Sequence, residues 1–87
     1  MHEASLMNDL MRKILEVCRE QKGVRVVGVS IKLGALSHMS AGHFREHFAV
    51  ASEGTVAEGA RLNIQELSDT TDPTAQQILL ESVEIAE

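Results

Sequence analysis

Val24-Arg25-Val26-Val27-Gly28-Val29-Ser30-Ile31-Lys32-Leu33 is the stretch whose reading decides the fold. Val27, Val29, Ile31 and Leu33 alternate with Gly28, Ser30 and Lys32, the period of two shown by a strand with one dry face. That face must be covered by a second layer. A chain of 87 residues has material for one small two-layer core and little more.

Upstream, Leu6, Met7, Leu10, Met11, Ile14, Leu15 and Cys18 recur at helical spacing, giving a helix with one buried stripe. Arg19 and Lys22 supply a cationic last turn, and Gly23 is the expected left-handed cap. Met7, Met11 and Cys18 lie on the stripe and read as core, with Cys18 a buried structural thiol. Downstream, Ser40 is the expected N-cap of a second helix reaching about Ser52, with Phe44, Phe48 and Ala51 inward and Gly54 ending it. Residues 55–60 form a connection with a glycine turn, and residues 61–67 alternate again with Leu62 and Ile64 inward. Residues 68–76 are polar, hold Pro73 and read as a solvated loop. In the last element Ile78 and Leu80 share one parity and Val83 and Ile85 the other, so a bulge near Glu81-Ser82 is expected. The predicted fold is therefore α/β of the α+β two-layer kind, in the order αβαββ. Two helices pack on one face of a three-stranded mixed sheet whose other face (Ser30, Lys32, Arg61, Asn63, Gln65) is wet. A strand-helix-strand crossover favours a parallel first pair, and the loop around Asp72-Pro73 suits an antiparallel last pair.

Composition narrows the function. A formal net charge of −5 argues against nucleic acid, which needs clustered Lys and Arg, and Phe44 and Phe48 as the sole Phe, Trp or Tyr residues argue against stacking on bases or sugars. No segment approaches the roughly 20 apolar residues of a membrane span, so the expected location is cytoplasmic. Cys18 is the single cysteine, which leaves no internal disulfide and no thiolate cluster.

The start of the chain, Met1-His2-Glu3, carries metal chemistry. The Met1 α-amine, the amide nitrogens of His2 and Glu3 and the imidazole Nδ1 of His2 can close successive chelate rings around one ion in a plane. A second arrangement uses the Met1 amine, the His2 amide and Nδ1, leaving a corner for the Glu3 carboxylate, water or a partner's ligand. Planar nitrogen sets suit Ni(II) or Cu(II) rather than tetrahedral zinc. A helix beginning at about Glu3 holds these groups at its positive end, which favours the neutral amine a metal needs. The bland reading is an exposed histidine at a frayed terminus. A secondary metal candidate is His43 with His47, four apart on the second helix, with His38 upstream as a third ligand; the bland reading there is a boundary pair at a packed edge. No nucleophile-base arrangement and no phosphate loop is present, so the chain is not expected to be an enzyme.

The Met1-His2-Glu3 start with Ser5 and Leu6, the segments 29–35 and 54–60, and the closing Glu81-Ser82-Val83-Glu84-Ile85 together resemble the HypA/HybF hydrogenase and urease nickel-incorporation proteins over nearly the whole chain. The resemblance implies a single nickel-binding HypA-like domain over residues 1–87, a cytoplasmic metallochaperone that takes Ni(II) at Met1, His2 and Glu3. It implies delivery to a NiFe hydrogenase large subunit, or to urease, with a nickel-inserting GTPase as partner, and leaves a homodimer open. Family members carry a zinc-binding lobe with two CxxC pairs where this chain has the cysteine-free loop 68–76, so no structural zinc is expected. That departure keeps a rival open: a zinc-less adaptor or accessory subunit of a hydrogenase assembly that delivers no metal.

Overall fold

The computed structural model describes residues 2–87, with side chains from Ser5 onward. Five elements follow one another: α1 (His2–Glu20), β1 (Arg25–Leu33), α2 (Ala41–Ala51), β2 (Arg61–Glu66) and β3 (Ile78–Ala86). This is the expected αβαββ order. The sheet order is β2-β1-β3, with β1 parallel to β2 and antiparallel to β3. Both helices sit on the same face, where Met7, Leu10, Met11, Ile14 and Cys18 of α1 and Phe44 and Phe48 of α2 meet Val26, Val29, Ile31 and Leu33 of β1 in one core. The expected wet face is wet: Arg61, Asn63 and Gln65 are exposed, and Ser30 and Lys32 are half-buried.

Three local expectations are corrected. Val26 is buried and Val27 is 38% exposed, because β1 carries an extra residue between Val26 and Gly28, whose partners Ile85 and Glu84 are consecutive in β3. A bulge resets the inward parity, so an alternation counted back from Leu33 lands on the wrong valine. The bulge expected in β3 is present: Ser30 pairs with Ser82 and Ile31 with Leu80, leaving Glu81 extra. Second, the left-handed residue after α1 is Lys22, with φ 56°, while Gly23 donates its amide to the Cys18 carbonyl at 2.9 Å. Gly23 is required for space: a Cβ there would stand 2.0 Å from Ile85 Cγ2. Third, β3 does not pair with β2. It lies on the far edge of β1, where nine residues face nine, and β2 with six residues takes the other edge.

Gly28 is aligned with Arg61 on one side and Glu84 on the other, and these two side chains form an ion pair across it. A Cβ on Gly28 would approach both within 3.0 Å. The glycine thus lets charges on the two edge strands meet over the central one.

The connection from β2 to β3 crosses the end of β1. Leu67 donates its amide to the Leu33 carbonyl, Gly34 to Gln77 and Leu36 to Ala75, each within 2.9 Å. Ala75 is buried, so the loop is anchored as well as solvated. Asp69 and Asp72 each accept hydrogen bonds from the hydroxyl and the amide of the threonine two residues on, Thr71 and Thr74. The threonine hydroxyls first, and then the amides, hold both carboxyls below their usual pKa.

Phe44 is fully buried at the centre of the core, so Phe44→Ala should cost about 3–5 kcal/mol in a urea melt, a large share of the ~5–15 kcal/mol that small proteins possess. Since the folded values of Asp69 and Asp72 are depressed, their support of the loop is complete above the ordinary value of 3.8 and is lost as pH falls through the lower folded values. Carboxyl NMR titration should show both midpoints returning toward the ordinary value in a Thr71→Val/Thr74→Val variant.

Candidate functional site

Of the residues nominated for metal, Met1 lies outside the described residues, as do the side chains of His2 and Glu3. The backbone is helical from His2, one residue earlier than the sequence pattern marks. The first four amides of a helix have no carbonyl partner within it, so the amides at positions 2 and 3 are not committed to the helix.

The second set is fully described. Ser40 caps α2, with extended backbone and its Oγ accepting the His43 amide at 3.1 Å. Phe44 and Phe48 are buried with ring centroids 6.1 Å apart. These two anchors fix the rotation of α2 about its axis and place His43 and His47, each one residue before a phenylalanine, at the half-buried margin. There the Nε2 atoms of His43 and His47 lie 2.9 Å apart, the rings tilted by 59° with centroids 4.5 Å apart. The two Nε2 atoms are within hydrogen-bond distance, the direction of the bond being set by the tautomers of the rings. His38 does not complete this pair: it is exposed, in left-handed backbone at φ 60°, and no group of three or more His, Cys, Asp or Glu positioned to hold a metal occurs among the described residues.

His47 borders a cleft of about 430 Å³ between α1 and α2, lined also by Met7, Asn8, Glu46, Val50 and Ala51. Val50 is 71% exposed at its rim.

One participant was not evident from the sequence. Glu66, at the end of β2, accepts the Ala41 amide through Oε2 at 2.6 Å. It places a carboxylate at the positive end of α2, whose own first turn carries no acid. The signal available was that missing acid; its long-range supplier becomes visible only once β2 lies parallel beside β1.

A two-layer αβαββ body with a histidine pair at the margin of its second helix is the frame into which the comparisons fall. The solution structure of the Ni metallochaperone HypA from Helicobacter pylori matches with a TM-score of 0.78 over 97% of each chain, at 17% identity, so the fold is shared. The family model for hydrogenase/urease nickel incorporation, metallochaperone, HypA matches residues 1–72, and the chain belongs to the HypA family. Among curated relatives, hydrogenase maturation factor HypA 1 of Bradyrhizobium diazoefficiens is 45% identical over 67 residues, covering 77% of this chain and 59% of that protein. The HypA of Archaeoglobus fulgidus is 36% identical over 64 residues, 74% of this chain and 58% of that protein. The chain therefore spans less than two thirds of the length of these relatives. Among the described residues, no helix is long and apolar enough to cross a membrane.

Replacing Ser40 by alanine removes the cap that seats the first turn of α2 and should cost ~1 kcal/mol in a denaturant melt. Amide exchange at His43 should quicken in the same variant.

Proposed function

We propose that this chain is a nickel carrier for hydrogenase maturation, holding Ni(II) as cargo at Met1, His2 and Glu3 and passing it to the hydrogenase large subunit, or to urease, with a GTPase as the inserting partner. The family match that begins at residue 1 carries this reading. A helix start supports it chemically: amides at positions 2 and 3 can lose their protons to a metal without breaking a helical hydrogen bond, and the positive end of the dipole favours the neutral amine. The His2 imidazole then adds a nitrogen in the same plane, the geometry that suits Ni(II). Delivery requires binding and release, and we assign the chain no catalytic step. The loop 68–76 holds no cysteine or histidine, so we assign this chain no structural zinc, and we place its work in the cytoplasm.

The competing reading, an adaptor that docks in a hydrogenase assembly and delivers nothing, draws on the outer edges of β2 and β3, each of which has β1 as its sole sheet neighbour among the described residues.

Titration with Ni(II) near neutral pH, followed by visible absorbance and calorimetry, separates the two. The carrier reading expects a planar, diamagnetic equivalent whose affinity rises with pH as amides deprotonate, and which disappears in His2→Ala or when one residue is added ahead of Met1. Nickel binding that is indifferent to both changes overturns it, and unaltered hydrogenase maturation in cells carrying His2→Ala supports the adaptor.

A further inference from the structure

We infer that His43 and His47 form a divalent-cation site of their own, which takes an ion of the Ni(II) or Cu(II) class through two imidazole nitrogens at a right angle.

The first support is metric. With metal-nitrogen bonds of about 2.0–2.1 Å, two nitrogens 2.9 Å apart subtend about 90° at the ion. That is the angle between neighbouring ligands in a square-planar or octahedral site. A tetrahedral ion needs about 3.3 Å between the same atoms, so the pair as it stands is pre-set for nickel or copper ahead of zinc.

The second support is rigidity. Two imidazoles four residues apart on a helix are a known metal clamp, but a clamp is useful only if the helix cannot turn away. Phe44 and Phe48, buried beside the two histidines, prevent that rotation, while Ser40 and Glu66 hold the first turn of α2 in place. Side chains held by packing lose little further freedom on binding.

The third support is access. The pair is half-buried, and His47 opens onto the α1–α2 cleft with the Met7 thioether, the Asn8 amide and the Glu46 carboxylate around it. An ion bound by two imidazoles keeps positions open toward that cleft for water or for ligands of a receiving protein. Binding replaces the contact between the two Nε2 atoms, each ring then presenting an Nε2 lone pair to the ion and carrying its proton on Nδ1.

This inference does not rest on the nickel-carrier reading, and the same titration tests each separately. For the whole chain, Ni(II) calorimetry should show two equivalents. In His43→Gln/His47→Gln the weaker is lost and the terminal one is kept; in His2→Ala the reverse holds. Each single glutamine variant should weaken the second equivalent at least tenfold, and Zn(II) should bind the pair more weakly than Ni(II). Imidazole carbon-proton NMR signals of His43 and His47 in the unsubstituted protein report occupancy directly, whatever a variant does to folding. Signals unmoved by two equivalents of Ni(II) overturn the site. So does a single equivalent lost in both His2→Ala and His43→Gln/His47→Gln, because the pair would then belong to the terminal chelate.

Discussion

Burial of one face of β1 is the constraint from which the rest of the molecule follows. Val26, Val29, Ile31 and Leu33 are each almost completely removed from water, and no other strand among the described residues is covered so fully. A strand this apolar on one side must have helices over it and neighbours on both edges, since its amides and carbonyls lose water at the same time as its side chains. α1 and α2 supply the cover, β2 and β3 the hydrogen bonds. The half-buried side chains of β2 and β3 show the outer strands to be the margin of the core, with β1 at its middle.

The histidine pair inherits its geometry from this arrangement. α2 can rest on the sheet in one rotational setting, the one that sinks Phe44 and Phe48, and the residues just before them are then carried to the edge of the helix. A parallel crossover brings β2 back beside β1 and, with it, Glu66 to the amides at the start of α2. Core packing and one long-range carboxylate therefore set where two imidazole nitrogens meet, and neither contributor is itself a metal ligand.

The element order, the shared face of the helices and the polar face of the sheet were all legible in the sequence, because each rests on a period that local residues display by themselves. So were the Ser40 cap and the bulge at Glu81, which announces itself as a slip of parity between Leu80 and Val83. The bulge at Val27 was not legible, since valine at both 26 and 27 hides the slip. The pairing partner of β3 was hidden too: adjacency in the chain suggests β2, and the choice of the far edge of β1 is a long-range one that no local period displays. Lys22, not Gly23, holds the left-handed position, and the glycine serves instead for clearance from Ile85, a contact far along the chain that local sequence does not display. At the candidate site, the spacing of His43 and His47 was visible, whereas their separation depends on rotamers and on the phenylalanine anchors.

The segment between β2 and β3 has a consequence for how this fold can be elaborated. Because the two strands flank β1 from opposite sides, their facing ends stand two strand spacings apart, roughly 10 Å, and each is tied to the central strand at Leu33 or Gly34 instead of to the other. The gap works as a socket. A self-contained module whose own termini are about that far apart fits between those anchors at a closure cost that grows only slowly with its length, provided the hydrogen bonds of Ala75 and Gln77 to the end of β1 are kept.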